Sequence, residues 1–459
     1  MSAIIVVLWH GQYPRRNSCL HGMFNLLILL TNIFNQFIFL SMKRKSIYLA
    51  AALAALTMAS CSNDEVMNDV PANGEGSAIA FTTTLDKAPV TRANTISGSN
   101  LSSFRVVCYD DLNAHYFGPT TVTKNSSNQW IPATVHNWKH KDKALRFFAV
   151  TGTANSAFKE PTQTEIEANG GNIYPFIKNF EVHPGYAMDK NGKYTGIDGS
   201  PINQLHPQHD VCAAFYEGKE KDQNVKLHFQ HLLSKIDIQA KNDKHNQNRT
   251  VEVMGARLVN LTKEGTWVYN IGDVPSGTAH NKFDGTWTHV TPGGDFCIRL
   301  HTNEKPDTLT NVYKSVLPKD ESFMVLPTVE SDQEQGTTAW VKDTAEDGTY
   351  LSVICRVTTT DQEGNKHVIV PNTGNADKYG MAMIPISFKL LQGKKYTFRL
   401  DFSNGSGQID PTTPGVPGDE DIDGPKEPGH EGDDYEGGQI QFDVTVEEWG
   451  TGGNIDQIM

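Results

Sequence analysis

The stretch IQFDVTVEEW at residues 440–449 alternates apolar and polar side chains. This alternation predicts a β-strand with one buried face, because successive side chains of a strand point to opposite sides. The stretch YTFRLDF at 396–402 carries the same pattern, so we expect the two stretches to pair. The apolar side chains of the last strand are Ile440, Phe442, Val444 and Val446, with Trp449 at its end.

Similar patterns recur along the chain and predict an all-β fold. Short runs rich in β-branched and aromatic residues are separated by Gly, Pro, Asn and Asp, which is typical of β-sandwiches. Residues 165–168 favour a short helix. In the strand at 296–300 we expect Phe296, Ile298 and Leu300 inside, and Cys297 and Arg299 outside. The other predicted strands are 78–85, 104–109, 145–151, 210–216, 225–229, 235–240, 251–261, 266–269, 322–326, 351–357, 366–370 and 395–402.

A polar run at 241–249 contains no apolar residue, and we place a domain boundary there. The predicted domains are 78–243 and 249–459. Within the second, residues 403–438 are rich in Gly, Pro, Asp and Glu, and we expect this acidic loop to be too polar to pack. The net charge of −13 argues against nucleic acid as a partner.

The N-terminal region carries a pattern typical of an export signal. Three cations at 43–45 precede an apolar core at 47–56, then the small residues Ala59 and Ser60, then Cys61. This order predicts a signal peptide at 42–60. The cysteine after the small residues resembles a bacterial lipobox, in which Cys61 would be acylated. An ordinary signal peptide with a chance cysteine is the alternative.

Residues 1–41 do not fit an exported protein. Met42 is a natural start, so we interpret 1–41 as a leader translated from a start codon chosen too early. A transmembrane anchor at 23–40 is the competing interpretation. Residues 61–77 are polar and contain Pro and Gly, which predicts a flexible tether.

Four cysteines follow Cys61, and no CxxC pair exists among them. Cys108 and Cys355 share strand parity with apolar neighbours, so we expect buried thiols. Disulfides remain an alternative in an exported protein. The other two cysteines are Cys212 and Cys297.

The first predicted strand leads into a polar loop at 87–100. An exposed arginine in such a loop is an accessible site for a trypsin-like protease, and Arg92 is followed by Ala93. The alternative is that Arg92 is an ordinary loop residue. The apolar face of the strand consists of Ile79, Phe81 and Leu85.

Several stretches, taken in order, resemble the fimbrillin family, the lipoprotein precursors of Bacteroidales pili. They are the lipobox ending at Cys61, AIAFTTTL at 78–85, Thr91-Arg92-Ala93, residues 104–109, HLLSKIDI at 231–238 and IQFDVTVEEW at 440–449. The resemblance implies two tandem transthyretin-like β-sandwich domains. It also implies lipidation at Cys61 and cleavage between Arg92 and Ala93. In the family, this cleavage frees the first strand and opens a groove for a C-terminal segment of the next subunit.

Strand addition is physically reasonable for this chain. A departing strand leaves unpaired backbone groups and an apolar slot, and another subunit's alternating strand satisfies both. Such a contact does not close on itself, so it propagates as a filament. The exchange candidates are Ile79, Phe81 and Leu85 on the first strand, and Ile440, Phe442, Val444 and Val446 on the last.

Two histidine pairs are candidate metal ligands. His206 and His209, and His228 and His231, are three residues apart, a spacing that faces one metal only on a helix. Neither segment is predicted to be helical, and on a strand this spacing gives opposite faces. We therefore expect surface or turn histidines and no metal.

The acidic loop contains part of a calcium-binding pattern. Asp419, Asp421 and Asp423 match its first positions, but His430 stands where the last ligand belongs. A solvated acidic loop is the favoured interpretation, and a loose calcium site is the alternative.

No nucleotide-binding or hydrolase motif occurs in the chain, so we predict neither enzyme activity nor a cofactor. The first hypothesis is a surface-exposed, outer-membrane lipoprotein, acting as a pilus subunit (stalk, anchor or tip) or an adhesin. Its partners would be other pilus subunits and a host or bacterial surface ligand. The alternative is a glycan-binding surface lipoprotein, and a weaker one is a glycan hydrolase. Sugar-stacking candidates are Trp130, Trp138, Trp267, Trp287 and Trp340.

Overall fold

The structure is a computed structural model. It describes residues 76–85, 96–97, 100–139, 141–152, 154, 156–168, 174–189, 191, 193–197, 200–202, 207–271, 279–301, 304–328, 337–342, 348–411, 421–424, 429–449 and 454–455. The predicted leader and signal peptide, Cys61, Arg92 and Ala93 lie outside these residues.

The described chain is nearly all β, as predicted. Its helical elements are α1 (Gln163–Ala168), which confirms the helix expected at 165–168, and two 3₁₀ turns at Glu220–Asp222 and Pro318–Asp320. In the part of the chain that the structure covers, no helix has the length and apolar character needed to cross a membrane.

The strands, in chain order, are β1 Ala80–Leu85, β2 Ser103–Asp110, β3 His115–Lys124, β4 Trp130–Pro132, β5 Leu145–Gly152, β6 Phe158–Lys159, β7 Phe176–Glu181, β8 Gly185–Met188, β9 Tyr194–Thr195, β10 Val211–Gly218, β11 Asn224–His231, β12 Ser234–Lys241, β13 Arg249–Leu261, β14 Glu264–Asn270, β15 Asp284–Thr291, β16 Gly294–Leu300, β17 Asp307–Thr308, β18 Lys314–Ser315, β19 Phe323–Val325, β20 Tyr350–Thr360, β21 Lys366–Val370, β22 Gly380–Pro385, β23 Lys394–Asp401, β24 Gln408–Ile409, β25 Gln441–Glu448 and β26 Asn454–Ile455.

The first sheet has the order β1-β11-β10-β5-β2-β3-β4. Its strands alternate in direction except that β1 lies parallel to β11. One face covers a separate apolar cluster, here called the N-terminal core. Its aromatic members include Phe81, Phe104, Trp130, Trp138, Phe147 and Phe229.

The second sheet has the order β18-β12-β23-β25-β26, with β19 also on β12. Strands β23 and β25 are antiparallel neighbours from Lys394–Glu448 to Asp401–Gln441, which confirms the predicted pairing. The third sheet runs β24-β22-β20-β13-β16-β8-β9, and the fourth β15-β14-β7-β6. These sheets share a second, larger core.

The domain boundary predicted at 241–249 remains a prediction, and strands from both sides of it pair with one another. Strand β12 precedes the boundary but pairs with β23. Strands β7 and β8 also precede it, and they pair with β14 and β16.

The prediction that 403–438 is too polar to pack is wrong for its described part. Strand β24 pairs with β22. The apolar side chains in the described part of this region, Ile409, Ile422 and Tyr435, are all buried. A few apolar residues are enough to pack this region against the protein, because each one joins an apolar cluster built mainly by the surrounding strands.

The strand at 296–300 was predicted with the wrong exposure for Cys297 and Arg299, which are both buried. A small apolar cluster containing Met254, Ile354 and Met381 covers the second face of this sheet. Arg299 donates to the carbonyl oxygens of Leu300 at 2.9 Å and Ile197 at 3.0 Å.

All four cysteines after Cys61 are buried, and no disulfide joins them. This confirms the expected burial of Cys108 and Cys355. Burial raises the pKa of the Cys355 thiol to about 12, so this thiol is protonated at neutral pH.

Candidate strand-exchange site

The residues around β1 are hydrogen-bonded on two sides; residues 76–85 are here called the β1 segment. Strand β1 itself lies parallel to β11, with Ala80 opposite Asn224 and Leu85 opposite Phe229. The first half of the segment lies against 136–138. There Gly76 N–H donates to Trp138 O at 3.0 Å, Trp138 N–H to Ser77 O at 2.9 Å, and Ile79 N–H to His136 O at 2.8 Å.

The apolar face of the β1 segment enters the N-terminal core, as its alternation predicted. Ile79 and Phe81 are buried, and Leu85 is half-buried against the same cluster. The Phe81 ring packs edge-on against Phe104 at 5.7 Å and Phe147 at 6.1 Å between ring centroids. The segment therefore completes this core rather than lying on its surface.

The opposite face of β1 is polar. Thr82 and Thr84 are exposed, and Thr84 Oγ1 lies 2.9 Å from His228 Nδ1. His228 and His231 lie on one strand with different exposure, as the spacing predicted. The expectation that these histidines are surface or turn residues is wrong for His231. It is buried, because it lies on the core-facing side of β11.

A carboxylate also holds the start of the β1 segment. Ser77 N–H donates to Glu220 Oε1 at 2.7 Å. This backbone hydrogen bond lowers the pKa of the Glu220 carboxyl below its ordinary value of 4.5. Glu220 lies in the turn before β11, so it links the segment to the strand beside which β1 lies.

We expect the contact between Ser77 and Glu220 to weaken in acid. Because the folded-state pKa is lowered, the stabilisation is present above about pH 4.5 and is lost as pH falls through the lower folded-state value. Amide exchange at 76–79, measured by mass spectrometry and corrected for intrinsic pH effects, should accelerate by roughly two- to fivefold. Glu220→Gln should show the faster exchange at every pH. Identical pH profiles for the two proteins would contradict the assignment.

Departure of the β1 segment would open a two-sided slot. One wall is the edge of β11, and the other is the backbone of 136–138. Its floor contains Phe104, Trp138 and Phe147. A slot with free backbone groups on its sides and apolar rings at its base is suited to an alternating strand.

The C-terminal exchange candidates lie in a different sheet. Ile440 and Val446 are buried, whereas Phe442 and Val444 are half-buried on β25. The other edge of β25 pairs with β26 at Val446–Ile455 and Glu447–Asn454.

Trp449 brings this strand close to the end of β11. The backbone N–H of Trp449 donates to Gly393 O at 2.8 Å. Its ring stacks on the His231 ring, with 4.2 Å between ring centroids. Trp449 thus connects the end of β25 to the end of β11, the strand with which β1 pairs. No pattern in the sequence indicates this contact.

The tryptophans considered for sugar stacking are mainly core residues. Trp130, Trp138, Trp267 and Trp287 are buried, and Trp340 is partly buried. The four buried rings have no face available to a sugar in the folded protein. Among the other ligand candidates, His206 and Asp419 lie outside the described residues.

Comparisons with known proteins identify the family of the chain. The family model described as "Fimbrillin-like" matches residues 91–415. None of the curated proteins matches the sequence. A fimbrial protein from Bacteroides vulgatus is 12% identical, with a TM-score of 0.43, covering 81% of this chain and 99% of its own.

Two further solved structures are similar over comparable lengths. A putative cell adhesion protein from Bacteroides uniformis is 14% identical, with a TM-score of 0.37, covering 81% of this chain and 98% of its own. The tip fimbrial protein Mfa3 from Porphyromonas gingivalis, C-terminally truncated, is 12% identical with a TM-score of 0.28, covering 80% and 99%. The family model spans well over half of the sequence, and this chain belongs to the fimbrillin-like family.

Proposed function

We propose that this chain is a structural subunit of a surface pilus, in a stalk, anchor or tip position, or an adhesin, and that it assembles by strand addition. The observation that carries the proposal is the two-sided attachment of the β1 segment, whose apolar face completes the N-terminal core. Membership of the fimbrillin-like family supports the same role.

Maturation is the first step of the proposal. The chain is exported, acylated at Cys61 and exposed at the outer membrane. Cleavage between Arg92 and Ala93 then separates the β1 segment covalently from β2. Among the described residues, the segment is afterwards held by its backbone pairing, its apolar side chains and the hydrogen bond to Glu220. A competing strand that makes equivalent contacts can replace it at little net cost.

The donor is the C-terminal end of a neighbouring subunit. Strand β25 is paired along its length with β23, so its release would disrupt the second sheet. The pairing of β26 involves only Val446 and Glu447 of β25. We therefore propose that the segment after Trp449 is donated, while Ile440, Phe442, Val444 and Val446 hold the strand from which it extends.

Limited proteolysis tests the proposal. The purified exported chain is treated with an arginine-specific, trypsin-like protease, and fragments are identified by mass spectrometry. We expect a fragment ending at Arg92, followed by concentration-dependent filaments in electron micrographs. Arg92→Ala should abolish both products, whereas Lys87→Ala, in the same loop, should leave them unchanged. Cleavage at Arg92 without any polymer at high concentration would refute assembly by strand addition.

A further inference from the structure

A buried cluster of three metal-binding side chains lies where β10 and β11 end. Asp210 and Cys212 are two residues apart and therefore share a face, and Cys212 is the direct cross-strand partner of His231. His231 Nδ1 lies 2.8 Å from Asp210 Oδ2 and 3.4 Å from Cys212 Sγ, and Cys212 Sγ lies 3.9 Å from Asp210 Oδ2. All three residues are buried.

Some polar atoms of this cluster have hydrogen-bond partners in the described part of the chain, and others do not. Asp210 Oδ2 accepts hydrogen bonds from Ile96 N–H and from His231. Asp210 Oδ1 and His231 Nε2 are buried without a hydrogen-bond partner among the residues that the structure describes. A buried carboxylate oxygen without a partner is costly, so it calls for an explanation such as a bound ion.

We propose that Asp210, Cys212 and His231 form a binding site for one divalent transition-metal ion, with zinc as the best match. Thiolate, imidazole and carboxylate together are a typical zinc donor set, whereas calcium and magnesium prefer oxygen ligands alone. Zinc–ligand bonds of about 2.0–2.3 Å separate tetrahedral donors by roughly 3.3–3.6 Å. The observed separations of 2.8–3.9 Å bracket that range, so small side-chain shifts suffice.

Binding requires a defined proton balance. The Cys212 thiol releases one proton to solvent and becomes the thiolate ligand. The imidazole proton moves from Nδ1, which then binds the ion, to Nε2. Asp210 binds as a carboxylate and has Oδ1 available as a second contact. Metal affinity should therefore rise with pH.

The site would connect three distant parts of the chain. Ile96 lies four residues after Arg92 in the same loop, and its N–H donates to Asp210. His231 ends β11, and Trp449, stacked on its ring, directly follows β25. A bound ion would hold these parts together whether or not the chain is cleaved, so the inference does not depend on the proposed function.

The test uses the purified exported chain, freed of metal with a chelator and titrated with Zn²⁺ or Co²⁺ alone. We expect one Zn²⁺ per chain by elemental analysis and a thiolate-to-cobalt charge-transfer band with Co²⁺. The thermal midpoint should rise by about 3 °C at a hundredfold excess over the dissociation constant. Cys212→Ser and His231→Gln should each lower zinc affinity at least about tenfold.

Matched variants keep the test decisive if a cluster variant fails to fold. Cys108→Ala and Cys355→Ala each remove a buried thiol elsewhere and should leave the cobalt band intact. The wild-type band itself reports a thiolate ligand without any substitution. Absence of the band together with an unchanged thermal midpoint in wild type would overturn the proposal. So would a band that survives Cys212→Ser in a folded protein.

Discussion

Replacing Phe81 by alanine is expected to lower the free energy of unfolding of the uncleaved chain by about 3 kcal/mol. The Phe81 ring is buried in the N-terminal core against Phe104 and Phe147. Its removal leaves a cavity that the other strands of the first sheet cannot close. Urea unfolding of the uncleaved chain, monitored by hydrogen exchange of the amides of β1 and β11, measures this loss of stability.

Two comparisons make this prediction specific. Thr82→Ala changes the exposed neighbour on the same strand and should alter stability by less than about 0.5 kcal/mol. Phe104→Ala changes a core residue that lies after Arg92. If the β1 segment departs after cleavage, mature Phe81→Ala and mature wild type become the same molecule, whereas Phe104→Ala stays destabilised. An uncleaved Phe81→Ala protein as stable as wild type would show that β1 does not complete this core.

Replacing Arg249 by methionine is expected to cost about 3 kcal/mol. This side chain is buried at the start of β13. Its Nε donates to Phe402 O at 2.7 Å, and its Nη2 donates to Gly405 O at 2.7 Å and Ser406 Oγ at 2.8 Å. Methionine fills similar space without any donor, so these acceptors lose their buried partner.

Further variants separate charge from geometry at Arg249. Arg249→Lys keeps the charge but lacks the planar fork of donors, so we expect it to recover less than half of the lost stability. Arg399→Met removes an exposed arginine of β23 and should cost under about 1 kcal/mol. Amide exchange at 402–406 should accelerate in Arg249→Met alone. Equal effects of Arg249→Met and Arg399→Met would contradict the assigned role of Arg249.

Local patterning predicted much of the fold. The alternation at 440–449 and 396–402 identified two strands and their pairing, which β23 and β25 confirm. It also identified the apolar face of β1, where Ile79 and Phe81 are buried. Strands such as β3 and β22 were missed, because Gly, Pro and Met in them weaken the pattern.

The errors share one cause. Cys297 and Arg299 were expected outside because a two-residue period distinguishes the two faces of a strand without revealing whether both are covered. The burial of Ile409, Ile422 and Tyr435 in an acidic region was missed for the same reason. His231 was expected at the surface because the residues that it contacts, Asp210 and Trp449, are distant from it in the sequence.

The sequence by itself determined many of the strands, which of their side chains share a face and to which family the chain belongs, because these properties depend on residues that are close together in the chain. Only the tertiary structure decided that β1 lies parallel to β11, that 136–138 supports its other side, and that Asp210, Cys212 and His231 meet. Those arrangements depend on contacts between residues far apart in the chain. Their positions follow from how whole sheets pack, which a local pattern does not encode.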